Sequence, residues 1–194
     1  YAKSAVVEGK DEAEAFRWYQ KAADQGHLNA QFNIAYRYSA GLGTVKDEAE
    51  AVRWYRKAAL QGSMVAQFNL ARMYSRGTGV SKDPEEASKW YRQAADQGFA
   101  DAQYYLGTMF ADGEGVTKDP AEAAQWYRKA AEQGMAEAQN QLAWLFTGFG
   151  NPQTRKTHWR QVHWAGYMKW AKELSRMLNK PSSGIGRRRI KVII

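Results

Sequence analysis

Residues 82–98 read KDPEEASKWYRQAADQG, and closely related phrases occur at three other places in the chain. The copies follow one another at a step of 36 residues, which is marked by Trp18, Trp54, Trp90 and Trp126 and by Gly26, Gly62, Gly98 and Gly134. A fixed period of this length is typical of repeat proteins, in which each small unit buries its apolar face against its neighbours. The sequence therefore predicts an array of about four repeats.

Each copy carries the signals of two helices. An aspartate precedes a glutamate by three residues in every copy, at Asp11, Asp47, Asp83 and Asp119. Such an aspartate can cap the free amides of a helix start, and the glutamate can reach back to the cap. The repeated glycines are expected to end this first helix in a left-handed conformation. A second helix follows, and the Gly-x-Gly turns at 41–43, 77–79 and 113–115 lead into the next copy.

The first helix of each copy is amphipathic. In the first copy, Trp18 and Tyr19 share a stripe with alanines, while Arg17 and Lys21 lie on the opposite side. A two-helix unit cannot bury such a stripe alone, so we expect the tryptophans to be buried at the junctions between repeats. In the second helices, Gln31, Gln67, Gln103 and Gln139 lie among apolar residues, and a buried amide needs partners. We expect these glutamines to bind backbone near a turn.

The period also divides the chain. The four repeats are predicted at residues 11–46, 47–82, 83–118 and 119–150. Residues 1–10 are expected to be the end of an upstream repeat or a lead-in. Residues 151–180 have helical periodicity without the repeat signals, and we interpret them as a degenerate repeat or a capping helix or helix pair. Residues 181–194 are expected to form a flexible basic tail.

Charge is distributed unevenly along the chain. Residues 1–150 contain 17 Lys+Arg and 19 Asp+Glu, whereas residues 151–194 contain 11 Lys+Arg and a single acid, Glu173. The repeats are therefore close to neutral, and the formal net charge of +8 comes from the C-terminal segment. There is no cysteine, which excludes disulfides and thiolate metal sites. No apolar run reaches the roughly 20 residues that a membrane span needs.

The ordered pattern of repeated residues resembles the Sel1-like repeat, a member of the tetratricopeptide-repeat superfamily. In the third copy the matching residues are Ala87, Trp90, Ala94, Ala95, Gly98, Ala102, Leu106, Phe110, Gly113 and Gly115. The resemblance covers about residues 11–150. It implies an all-α, right-handed solenoid of antiparallel helix pairs, with the first helices on the concave side. It also implies an adaptor that binds other proteins, as family members do in degradation complexes, bacterial signalling and host–pathogen contact.

Catalysis has little support in the sequence. The chain has only three histidines, and its acids lie mostly at predicted helix starts or on solvated faces. The glycine pairs do not form a phosphate-binding loop, since no complete nucleotide-binding motif follows a strand. The sequence thus predicts a protein that is not an enzyme, with no cofactor and no metal site.

A binding role is predicted instead for the first helices. If they line the concave surface, arginines and tyrosines form a repeated ladder, and both residue types are enriched at binding hot spots. The predicted partner is a protein or peptide, and the predicted contact residues are Tyr19, Tyr55, Tyr91, Tyr127, Arg17, Arg53, Arg56, Arg92 and Arg128. The alternative is that the charges only keep the helices soluble and that the tyrosines belong to the core.

The C-terminal segment offers a different function. Residues 151–194 could bind nucleic acid or an anionic surface through their charge, and Arg187, Arg188 and Arg189 are the densest cluster. The apolar end of the tail could instead add a strand to a partner's sheet, or the tail could have no function. The oligomeric state is open, and we expect a bacterial periplasmic or secreted location.

Overall fold

The computed structural model describes the backbone of residues 2–147 and the side chains of residues 11–145. Within this part the chain forms eight helices and no strand. In chain order they are α1 (Ala2–Asp24), α2 (Leu28–Ala40), α3 (Glu48–Leu60), α4 (Met64–Arg76), α5 (Pro84–Asp96), α6 (Ala100–Asp112), α7 (Pro120–Glu132) and α8 (Ala136–Thr147). The odd-numbered helices are the predicted first helices, and the even-numbered helices are the second. The prediction of an all-α solenoid built from helix pairs is confirmed.

Three of the four predicted aspartate caps are present. The Asp47 and Asp83 carboxylates accept bonds from the amides of Glu50 and Glu86 at 3.0 and 2.9 Å. In the fourth copy Asp119 accepts from two amides, at 2.9 and 3.0 Å. These bonds satisfy amides that the first helical turn leaves free. They therefore fix where α3, α5 and α7 begin.

The glutamates of the predicted capping boxes do not reach back to the caps. The amide of Asp83 donates instead to the carbonyl of Tyr74, at 2.9 Å, and Asp47 and Asp119 make the same bond to the second helix of the preceding repeat. Because the cap amide already has a partner, the glutamate side chain is released for other contacts. This bond also joins each repeat to the one before it.

The first copy departs from the pattern. Asp11 was predicted to start a helix, but it lies inside α1, which begins at Ala2. The prediction is wrong because no Gly-x-Gly turn precedes Asp11, so nothing interrupts the helix there. The backbone of residues 2–10 is helical and continuous with the helix that contains Asp11.

Glycine is required at the turns for two different reasons. Gly26, Gly62, Gly98 and Gly134, which follow the first helices, have φ between 89° and 93°, as predicted for left-handed helix ends. At Gly79, in the Gly-x-Gly turn, φ is 68° and a Cβ atom would also overlap the carbonyl of Glu48. The second turn of the repeat therefore packs directly on the backbone of its own first helix.

Consecutive helices from α1 to α7 pack against one another, and their connections are short. Alanines dominate the buried positions, with Ile34, Leu70 and Leu106 fully buried between them. Small side chains let helix backbones approach closely, so the larger residues fill the remaining space. This core belongs to one compact unit, which ends at residue 138.

The predicted burial of the tryptophans is confirmed in three copies and wrong in one. Trp54, Trp90 and Trp126 are between 3% and 7% exposed, whereas Trp18 is 61% exposed. The reason is positional: within the described residues no helix pair packs on the side of α1 that carries Trp18. A tryptophan at the same repeat position is thus buried or exposed according to whether another repeat packs against it.

Several predictions concern residues outside the described part of the chain. These are the capping region 151–180 and the tail 181–194 with Arg187, Arg188 and Arg189. The right-handed sense of the solenoid and the concave position of the first helices stay predictions. None of the helices among residues 2–147 has the length and apolarity to cross a membrane.

Candidate partner-binding surface

The solvent-facing sides of the first helices carry most of the exposed cations of the repeats. We call this set the first-helix surface: Arg17, Lys21, Arg53, Arg56, Lys57, Lys89, Arg92 and Lys129. Adjacent first helices are close in space, since the Arg92 guanidinium of α5 lies 5.8 Å from the Trp126 ring of α7. The repeat step therefore places equivalent cations at regular intervals along neighbouring helices.

Lysines one turn further along the helix cover the indole rings. The Nζ atoms of Lys57 and Lys129 lie 3.7 Å from the ring centroids of Trp54 and Trp126. Cation–π contacts of this kind contribute about 0.5–1 kcal/mol at exposed sites. They hold the ammonium groups against the helix surface, where a partner can reach them.

The glutamates released from the caps bind on the same surface. Glu86 and Glu122 accept bonds from the indole nitrogens of Trp90 and Trp126, both at 3.0 Å. In the second repeat the equivalent glutamate, Glu50, accepts a bond from Arg53 instead, at 2.7 Å. These contacts orient the buried tryptophan rings from their polar edge.

The predicted arginines fall into two groups. Arg17 and Arg53 are exposed, and the Arg53 side chain keeps 74% of its surface in solvent despite its bond to Glu50. Arg56 and Arg92 are exposed as well, but they lie against aromatic rings. Arg56 donates to the Tyr74 hydroxyl, and Arg92 lies near the rings of Phe110 and Trp126. Arg128, at the same repeat position, is half-buried. The first group is the more accessible to a partner.

The tyrosines of the predicted ladder require a correction. Tyr55, Tyr91 and Tyr127 are at most 4% exposed, so they are core residues and offer no contact surface; only Tyr19 is half-exposed. Burial raises the pKa of Tyr91 to about 12 and that of Tyr127 to about 12, because a phenolate loses its hydration there. The Tyr127 hydroxyl donates to Thr108 at 3.1 Å.

The buried glutamines bind backbone as predicted, and they also form an unpredicted link between repeats. Gln67 donates to the carbonyl of Ala59 at 3.1 Å, and Gln103 does the same to Ala95. Each buried glutamine also accepts a bond from the glutamine that follows the next repeat's first helix, and the donors are Gln61, Gln97 and Gln133. The Gln-Gly pair that ends every first helix was the signal in the sequence.

The described residues offer little for metal binding: no group of three or more His, Asp or Glu side chains within them could hold a metal ion. The arrangement that they do offer is a row of oriented cations on rigid helices. Such a row suits recognition of an extended partner with negative charge.

Comparison with known proteins places this chain among repeat proteins. The family model described as the Sel1 repeat matches residues 7–27, 28–63, 65–99 and 100–135. A Sel1 repeat protein from Oxalobacter formigenes is 43% identical, with a TM-score of 0.60 over 64% of this chain and 94% of that one. A search of curated proteins gave no match.

Two further solved structures are similar. One is c5321, described as a protective antigen present in uropathogenic Escherichia coli strains and displaying an SLR fold. It is 31% identical, with a TM-score of 0.70 over 92% of this chain, and the match spans only 39% of that antigen. Cysteine-rich protein B of Helicobacter pylori is 23% identical, with a TM-score of 0.54 over 68% of this chain and 95% of that protein, and shows likeness of fold alone.

Proposed function

Because the chain belongs to the Sel1 repeat family, whose fold generally mediates protein–protein interaction, we propose that it is a non-enzymatic adaptor that binds an acidic polypeptide on the first-helix surface. One observation carries this proposal. Exposed cations recur at the same repeat positions on neighbouring helices, on a scaffold whose core residues fix their spacing. Because the helices already hold these side chains at regular intervals, less conformational entropy is lost when a partner binds.

The position held by Arg53 and Lys89 is the best place to test the proposal. Both side chains are largely exposed, at 74% and 67%, and each pairs only with a glutamate on its own helix. Exposed pairs of this kind contribute little to stability, because water and salt screen them. Their charges can therefore be reversed with little effect on folding.

A pull-down with the full chain tests this surface. We expect the double variant Arg53→Glu, Lys89→Glu to lose the protein partners that the wild type retains, because the partner's acids would then face acids. The matched control is Lys82→Glu, Lys118→Glu, which also reverses two cations 36 residues apart but in the turns after α4 and α6. The control should retain those partners.

A third variant separates this proposal from binding by the basic tail. Reversal of Arg187, Arg188 and Arg189 should leave the retained proteins unchanged. Loss of binding in this variant together with full binding by Arg53→Glu, Lys89→Glu would overturn the proposal. Equal losses in the first-helix variant and in the turn control would also overturn it, since only net charge would then matter.

A further inference from the structure

A small polar cavity lies where α2, α3 and α4 meet. Its volume is about 210 Å³, and its walls come from α2, α3, α4 and the turn after α4. The polar side chains that matter here are Ser39, Glu48, Tyr55, Arg72 and Arg76. Cofactor and drug-sized pockets usually measure about 300–1,000 Å³, so this cavity has room for one side chain, not for a cofactor.

Arg72 is the unusual residue in the cavity. Its Nε atom is buried and has no hydrogen-bond partner in the described part of the chain. Its guanidinium lies 5.7 Å from the Phe68 ring, which holds it in place without satisfying its donors. An unsatisfied buried donor costs about 1–3 kcal/mol, and more when it is charged. The fold bears this cost at Arg72 and also at Arg128, whose Nε atom is likewise buried without a partner.

The repeats supply an internal comparison for this arginine. All copies must satisfy the same packing, yet the position of Arg72 is held by Tyr36 in the first repeat and Thr108 in the third. The position of Arg76 is likewise held by Ala40 and Asp112. The scaffold therefore does not require an arginine at either position. The two arginines belong to the second repeat alone among these three.

The charges around the cavity are not balanced. Glu48 is the only acid on its wall, and its carboxylate already pairs with Lys46 at 2.6 Å. Neither Arg72 nor Arg76 has a carboxylate partner among the described residues. The hydroxyl of Tyr55, hydrogen-bonded to Ser39, adds a further polar group. The cavity consequently presents two guanidinium groups and hydroxyls to whatever enters it.

From this arrangement we propose that the Arg72 cavity binds the side-chain carboxylate of an aspartate or glutamate of the partner polypeptide. The inference rests on the proposed function in one respect, that the partner is a protein with acidic residues. Guanidinium groups match carboxylates in geometry and form two parallel hydrogen bonds to them. The cavity volume admits such a side chain, and its carboxylate would face the guanidinium groups of Arg72 and Arg76, which have no carboxylate partner among the described residues.

The test uses nuclear magnetic resonance of the full chain and a small probe. The probe is N-acetyl-glutamate methylamide, which carries one side-chain carboxylate, and the matched probe is N-acetyl-glutamine methylamide. We expect the Nε–Hε resonance of Arg72 to move saturably with the glutamate probe and not with the glutamine probe. No saturable movement, or equal movement with both probes, would overturn the proposal.

Variants then test the residue. Arg72→Thr introduces the residue that the third repeat has in this position, so it should fold. We expect it to weaken the probe's binding about tenfold or more, as followed at the side-chain amide of Asn69, which also lines the cavity. Arg72→Lys keeps the charge but not the paired donors and should weaken binding less. Lys118→Thr removes an exposed cation far from the cavity and should change nothing. Equal binding by wild type and Arg72→Thr would contradict the assignment.

Inorganic phosphate is the competing anion. Tighter saturation of the Arg72 resonance by phosphate than by the glutamate probe would overturn the choice of a carboxylate. Because the probe is a small molecule, this experiment can fail while the pull-down still shows binding on the first-helix surface. The two proposals are therefore tested separately.

Discussion

The side-chain amide of Gln97 donates to the side-chain oxygen of Gln67 across the boundary between the third and second repeats, at 2.7 Å. Gln67 is 3% exposed, and it also donates to the carbonyl of Ala59. The bond thus connects a buried amide in one repeat to the end of a helix in the next. The same bond recurs at the neighbouring boundaries, which makes it part of the interface between repeats.

Substitution of either glutamine should lower the free energy of unfolding, and the effects of the two substitutions should not be additive. We expect Gln67→Leu to cost about 1–2 kcal/mol and Gln97→Ala about 1 kcal/mol, because each change removes one partner of a part-buried bond. The double variant should cost less than the sum, with a coupling of about 1 kcal/mol. Urea denaturation followed by circular dichroism measures all three. Additive losses would show that the bond does not stabilise the interface. Gln125→Leu, which replaces an exposed glutamine, serves as the neutral control.

The tryptophans should differ in their contribution to stability according to their burial. Trp90→Ala should lower the free energy of unfolding by about 3–5 kcal/mol, because it removes a large buried ring. Trp18→Ala makes the same change at a residue that is 61% exposed and should cost less than about 1 kcal/mol. Thermal and urea unfolding of the two variants tests the difference. Similar losses would contradict the exposure found for Trp18.

The two kinds of turn glycine should also respond differently to alanine. At Gly62, with φ at 92°, no atom lies within 4 Å of a new Cβ, so Gly62→Ala should cost about 1 kcal/mol from backbone strain alone. At Gly79 the new methyl group would overlap the Glu48 carbonyl, so Gly79→Ala should cost about 3 kcal/mol or more. Paired denaturation curves measure the gap. Equal costs would mean that the turn does not pack on α3.

Stability should decrease at alkaline pH because of two buried tyrosines. The pKa of Tyr91 and that of Tyr127 are each raised to about 12 in the folded chain, against about 10 in an unfolded chain. Above pH 10 the unfolded chain therefore binds fewer protons, so the contribution is fully present below pH 10 and is lost as the pH rises toward 12.

The measurement is the urea midpoint between pH 9 and pH 12. Tyr91→Phe, Tyr127→Phe should flatten this dependence relative to wild type, because neither ring can then ionise. The double variant will have a constant offset, since Tyr127 also loses its bond to Thr108. An unchanged slope in the variant would show that other groups cause the alkaline loss.

The fold could be predicted well from the sequence because each position of the repeat occurs in four copies, and residues shared by the copies can be recognised. A fixed step with helix starts and ends leaves few alternatives to stacked helix pairs. Periodicity cannot show which neighbour a residue meets, however. Trp18 and Trp90 carry the same signal, yet only one has another repeat packed on it. Asp11 failed as a cap for a similar reason, since its role depends on the turn that precedes it.

The candidate site was less predictable than the fold. The exposed arginines follow from the polar side of the first helix, but the tyrosines beside them lie at the border of the apolar stripe, where helix angles alone do not decide burial. The Arg72 cavity could not be predicted from the repeat pattern. The pattern shows what the repeats share, whereas Arg72 and Arg76 occur in the second repeat and not in the first or third. The structure was needed to show that Arg72 of α4 lines a cavity with α2 and α3, and that its Nε donor has no partner in the described part of the chain. The predicted periplasmic or secreted location stays a prediction.

The glutamine bonds between repeats have a consequence for how the chain folds as it is made. Each joins residues 30 positions apart, and chains dominated by such near-sequence contacts fold quickly. The bond between the first and second repeats needs no residue beyond Gln61. Stacking can therefore begin on the ribosome before the third and fourth repeats are synthesised, and each later repeat can join a template that is already ordered.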